Sequence, residues 1–135
     1  MATIEKFEEL DVWKLSREIV NDIYELSKGG DFKQDYALRN QIRRSGLSIL
    51  SNIAEGFESG TDKQFARYLK IAKGSAGECR AQLYIAVDQQ YLSQNEFRSL
   101  KKDLITCSKK LSRLIRYLNG SSNQVRDIDI IYDAG

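Results

Sequence analysis

The sequence has 135 residues, of which 41% are apolar and 30% charged; this is enough for one folded domain and too little for two full cores. It has neither Pro nor His, so no helix is obliged to break, and the usual general base and commonest transition-metal ligand are both missing, which argues against an enzyme. A formal net charge of +2 rules out a strong global field, and two Cys are too few for a disulfide scaffold.

Met1–Glu9 is acidic and lacks the apolar core of a signal peptide. No apolar run approaches the ~20 residues of a membrane span, so no membrane partner is expected and the expected location is cytoplasmic. The first predicted helix runs from about Leu10 to Lys28, with Val12, Leu15, Ile19, Ile23 and Leu26 on one face and Gly29-Gly30 as its stop. The second runs from about Asp35 to Glu55. Leu38, Ile42, Ile49 and Ile53 form its stripe, Leu47, Leu50 and Ala54 widen it, and Gly56 and Gly60 bracket the turn that follows.

The third opens on a capping box, Thr61-Asp62-Lys63-Gln64, and is expected to reach about Tyr91. Phe65, Leu69, Ala72, Ala76, Cys79, Leu83 and Ala86 make an unbroken heptad seam along it. The fourth opens on a second box, Ser93-Gln94-Asn95-Glu96. Its seam is Phe97, Leu100, Leu104, Cys107, Leu111, Leu114 and Leu118, closed by Asn119-Gly120. Such matched helices with short loops predict an all-α, antiparallel, up-down-up-down four-helix bundle over residues 1–120, followed by a polar, mobile tail over 121–135.

Catalytic chemistry finds little footing. Both Cys occupy seam positions, where a thiol acts as a small hydrophobe. The di-iron site of helical bundles needs Glu-x-x-His pairs, so no metal and no cofactor is expected. Gly74-Ser75-Ala76-Gly77 lacks the Lys of a phosphate-binding loop. Each Gly costs a helix up to ~1 kcal/mol against Ala, so these are expected to admit a neighbouring helix where a Cβ would obstruct it.

Two features point outward. The third helix carries a second stripe, Ile71, Ser75, Glu78, Gln82 and Ile85, while the second helix carries Gln41, Arg44, Ser48, Asn52 and Glu55. Ile71 and Ile85 have no place in the internal core and mark a subunit contact, although single exposed Ile residues are also ordinary. The other feature is charge. Residues 1–30 are net −3, whereas residues 93–119 are net +5. Arg98, Lys102, Lys109, Arg113 and Arg116 share an arc of about 60° on the helical wheel, nearly opposite the leucine seam. Lys63, Arg67 and Lys70 form a shorter basic stripe on the third helix. A one-sided basic face suits a phosphate backbone; it also suits plain solvent or the acidic first helix.

Several motifs occur together in a specific order: Phe7-Glu8-Glu9-Leu10-Asp11-Val12-Trp13, Gln41-Ile42-Arg43-Arg44-Ser45-Gly46-Leu47-Ser48-Ile49, Asn52-Ile53-Ala54-Glu55-Gly56 and Gly74-Ser75-Ala76-Gly77-Glu78. Over roughly residues 7–118 the chain thereby resembles the four helix bundle protein family, also called the 23S ribosomal RNA intervening-sequence proteins. Leu50 stands where that family usually carries Pro, which favours a straighter second helix. The resemblance implies a bacterial four-helix bundle that forms a ring-like homopentamer, and the expected function is nucleic-acid binding or an adaptor role, with a structural protein–protein interaction module as the alternative. Relatives that serve diversity-generating retroelements are basic and bind nucleic acid, RNA or DNA, together with a reverse transcriptase. The family name reflects gene location rather than an activity. On this resemblance Asn52, Glu55, Ser75 and Glu78 are the motif polar residues. They are expected to hydrogen-bond across the second and third helices or across subunits, and a buried Glu78 would take Arg43 or Arg44 as its cation.

Overall fold

Each of the three longest helices starts where a side-chain oxygen can accept an otherwise orphaned backbone amide. In the computed structural model, which describes residues 3–120, Asp35 accepts from Leu38 N at 3.1 Å, Thr61 from Gln64 N at 3.2 Å and Ser93 from Glu96 N at 3.0 Å. The elements are a 3-10 turn (Phe7–Glu9), α1 (Asp11–Ser27), a short α2 (Gly30–Gln34), α3 (Tyr36–Glu58), α4 (Asp62–Asp88) and α5 (Gln94–Leu118). Of these three caps, only the Ser93 box closes from both sides, because Glu96 also accepts from Ser93 N at 2.8 Å. A carboxylate draws that amide more strongly than the neutral Gln64 does. The segment 121–135, expected to be a mobile tail, lies outside the described residues.

The four long helices form the expected bundle, with neighbours in the cyclic order α1, α3, α4, α5. Cross-helix contacts fix the directions as antiparallel: Ser27 meets Arg43 across α1 and α3, Ser48 meets Ser75 while Ser45 meets Gln82 across α3 and α4, and Tyr84 meets Phe97 across α4 and α5. The heptad seams of α4 and α5 are buried as read from Phe65 to Ala86 and from Phe97 to Leu114. On α1 the buried face is rotated slightly. Ser16, Val20 and Ser27 are buried with Val12, Ile19 and Ile23, while Leu15 and Leu26 are half-buried. The rotation serves two neighbours at once, since α1 packs on both α3 and α5. Among the described residues no strand occurs, and no helix is long and apolar enough to cross a membrane.

Two local expectations are corrected, and one element is new. Gly56 does not end the second long helix: α3 runs on to Glu58, and Gly56 is buried within it. A Cβ there would lie 2.7 Å from Tyr68 Cβ and 3.0 Å from Phe65 Cδ1, so the missing side chain sets how closely α4 can approach. Second, α4 stops at Asp88, and Gln90 turns the chain with a φ of 64°. Third, the sequence pattern gives no sign of the short α2. It holds because Phe32 is buried and stacks on Tyr91 at 5.0 Å, while Tyr91 Oη donates to Asp35 at 2.9 Å.

Cys79 and Cys107 are fully buried. Burial pushes the Cys79 thiol up to about 11 and the Cys107 thiol up to about 12. Because the thiolate is the reactive form, both thiols are expected to label at least about 100-fold more slowly at pH 8 in the native protein than in denaturant. Fast native labelling would contradict the seam assignment at these positions.

Candidate nucleic-acid interface

The α5 sequence alternates leucine seam and Lys/Arg, so burying the seam between α1 and α4 turns the cations outward. Arg98, Lys102, Lys109 and Arg116 are exposed, and Arg113 is half-buried. Arg98 is steadied by Asn95, whose Oδ1 accepts from Nη2 at 2.6 Å. Lys63, Arg67 and Lys70 of α4 are also exposed.

Packing α4 antiparallel to α5 brings the Lys70 end of the shorter stripe beside α5, while Arg67 lines a separate groove with Ser59, Gln64, Tyr68 and Ile71. Near the α5 C-terminus, Lys70, Lys73 and Gly74 of α4 face Ser112, Ile115, Arg116 and Asn119 around a groove of about 520 Å³. Near its N-terminus, Arg98, Lys101, Lys102 and Lys109 surround a shallow depression floored by Ile105 and Thr106. From Arg98 to Arg116 this basic track spans ~27 Å at 1.5 Å per residue. Lys73 and Lys101 were not among the candidate residues read from sequence. The spacing of Lys73, three residues after Lys70, could have suggested it.

The other side of α5 carries the opposite sign. Asp22 and Glu25 of α1 face Asn95, Glu96 and Ser99 of α5 around an acidic groove. Partial burial holds the Asp22 carboxyl above its ordinary range, with Asp103 and Glu18 adding to the effect. Between the two faces Lys110, only 7% exposed, pairs with Asp11 and ties α5 to the first turn of α1. Charge is thus partitioned about α5: an acidic groove lies toward α1, while the cations occupy the outward face and, at Arg116, the edge shared with Lys70 and Lys73 of α4.

The motif polar residues divide into two groups. Ser75 and Ser48 hydrogen-bond at 2.8 Å between α4 and α3, and Asn52 Nδ2 donates to Ser48 O at 2.8 Å and to Ser48 Oγ at 3.0 Å. Ser45 donates to Gln82 Oε1 at 2.8 Å further along the same pair of helices. These bonds form a polar seam that fixes the register of α3 on α4. Glu55 and Glu78 are exposed instead. A cation from Arg43 or Arg44 is expected only for a buried Glu78, and that condition is not met; Arg43 instead donates to Ser27 Oγ at 2.8 Å and lies over the Tyr24 ring at 4.5 Å.

The α4 surface beside this seam mixes exposed apolar residues with the carboxylate of Glu78. Ile71 and Ile85 are each 49% exposed, and between them Gly74 and Gly77 face outward. A Cβ at either glycine would meet nothing within 4 Å. The expectation that they admit a neighbouring helix of the same chain is therefore corrected; the close helix contact lies at Gly56. Among the described residues no cluster of His, Cys, Asp or Glu could hold a metal ion.

Comparison with known proteins adds family context. Residues 8–113 match the family described as 23S rRNA-intervening sequence protein. The chain is similar to the crystal structure of a protein with unknown function from the S23 ribosomal protein family of Bacteroides thetaiotaomicron. The two share 26% identity with a TM-score of 0.70, over 78% of this chain and 98% of that one. No curated protein matches the chain.

Proposed function

The chain belongs to the 23S rRNA-intervening sequence protein family, and on that footing we propose that it is a non-enzymatic, homo-oligomeric protein that binds nucleic acid along the basic α4–α5 track. The observation that carries this reading is the partition of charge about α5. A chain whose net charge is only +2 concentrates Lys70, Lys73, Arg98, Lys101, Lys102, Lys109 and Arg116 along one side, apart from the acidic α1 groove. Cations aligned in this way displace the counterions condensed on a phosphate backbone, and that release supplies most of the non-specific affinity.

Self-association is supported by the outward stripe of α4. Gly74 and Gly77 each lower helix stability by up to ~1 kcal/mol with no packing gain inside the chain. A second copy closing on Ile71 and Ile85 would recover that loss. The family resemblance favours five copies in a ring, which would repeat the basic track around the assembly.

Binding should be strongly salt-dependent and weakly sequence-specific, because phosphate contacts position a ligand without reading its bases. The exposed pair Lys70 and Lys109 offers the cleaner test, since Arg113 is half-buried. Lys70→Glu with Lys109→Glu is expected to leave helicity unchanged and to reduce the slope of log affinity against log salt by roughly 0.7–0.9 for each phosphate the variant no longer neutralises. If the wild-type protein shifts neither single-stranded nor duplex nucleic acid at low salt, the reading fails. The exposed apolar residues Tyr36, Leu47, Ile71 and Ile85 would then favour a protein–protein interaction module without nucleic-acid binding.

A further inference from the structure

Tyr84 is an exposed aromatic at one end of the basic track. It lies on α4, is 44% exposed and packs edge-to-face against Phe97 of α5, with ring centroids 5.0 Å apart. Phe97 is nearly buried, so it anchors the Tyr84 ring from the core side. Lys101 Nζ lies 5.3 Å from the Tyr84 centroid and 5.7 Å from that of Phe97. The same Lys101 lines the depression shared with Arg98, Lys102 and Lys109. An anchored ring thus sits beside Lys101, at the edge of the depression that this lysine shares with three other cations. Among the described residues the other strongly exposed aromatic, Tyr36, lies on α3 beneath Arg39.

An exposed aromatic at a helix surface keeps apolar area in water unless a ligand covers it. Alternation of cations and aromatic rings is how proteins hold unpaired strands: the cations follow phosphates, and a ring takes the face of a base. The interior of a duplex offers no such face, because its bases already stack on one another. Resting on the nucleic-acid reading above, we infer that the track takes a single strand and that Tyr84, braced by Phe97 and Lys101, is the platform on which one unpaired base stacks.

The experiment measures binding of a twelve-nucleotide oligo(A), as RNA and as DNA, and of a blunt duplex of equal length, across a salt series. Tyr84→Leu retains apolar packing on Phe97 but removes the ring; Tyr84→Phe retains the ring. Tyr84→Leu is expected to weaken oligo(A) binding about 5–20-fold, leave the salt slope unchanged and spare the duplex. Tyr84→Phe is expected to bind oligo(A) as the wild type does. Comparable weakening in both sugar series supports stacking as the shared chemistry; weakening confined to RNA supports a base platform reinforced by a ribose contact. The inference is overturned if Tyr84→Leu binds oligo(A) as tightly as wild type, if its duplex binding falls equally, or if Tyr84→Phe is as defective as Tyr84→Leu. In each of those cases wild-type binding survives and the nucleic-acid reading stands. Wild-type protein that binds neither ligand removes both.

Discussion

Gly56→Ala is expected to destabilise the fold by about 1–3 kcal/mol, an effect one methyl group has only where packing leaves no room. The new Cβ would stand 2.7 Å from Tyr68 Cβ, 3.0 Å from Phe65 Cδ1 and 3.3 Å from the Phe65 carbonyl oxygen. Two of those three atoms are fixed to the α4 backbone or one bond from it, so relief requires the helices to separate. Separation would also strain the Ser48–Ser75 and Ser45–Gln82 hydrogen bonds further along the same interface. Gly74→Ala and Gly77→Ala provide the contrast. With nothing within 4 Å of either position, each is expected to stabilise the isolated chain, by up to ~1 kcal/mol. Chemical denaturation of the three variants measures both signs. A Gly56→Ala variant as stable as wild type would show that the α3–α4 approach is not limiting.

Ile85→Glu is expected to convert the proposed oligomer to a monomer. Ile85 is 49% exposed in the single chain, so a Glu there is solvated and harmless to the bundle itself. Covered by another copy, the same carboxylate would be desolvated without a partner, at a cost of several kcal/mol at each interface. Light scattering should give a multiple of 15.5 kDa for the wild type and 15.5 kDa for the variant, with unchanged far-ultraviolet dichroism. Wild-type protein running at 15.5 kDa at micromolar concentration would eliminate the self-contact at Ile71 and Ile85. Gly74→Ala and Gly77→Ala should weaken assembly while strengthening the chain, a pairing of effects that a purely internal role for the glycines cannot produce.

The family context bears on how far these expectations extend. The B. thetaiotaomicron structure is matched over 98% of its length, so the bundle common to both accounts for nearly all of that protein. The proposed function draws on the outside of that bundle. That is where this chain places its basic track, its exposed isoleucines and Tyr84.

Much of this architecture is legible in the sequence because it is local. A heptad seam such as Phe65 to Ala86 repeats at the pitch of the helix that carries it, so periodicity reveals both the helix and its buried face. Caps are local too: Ser93 and Glu96 lie three residues apart and satisfy each other's amides without reference to any other element. The outward arc of α5 cations follows in turn, since a face opposite a buried seam must meet solvent.

What the sequence leaves undetermined depends on how each helix is rotated and how closely it approaches its neighbours. Gly56 and Gly74 are the same residue type in two helices, yet one admits a neighbouring side chain and the other faces open space. Lys110 sits among outward cations in the chain but is buried against Asp11, ninety-nine residues away, because α1 crosses that side of α5. Lys73 and Tyr84 join the basic track only when α4 lies antiparallel to α5. Backbone hydrogen bonding fixes the period of a helix, but side-chain packing between helices distant in sequence fixes its azimuth, and the candidate site is a product of the azimuth.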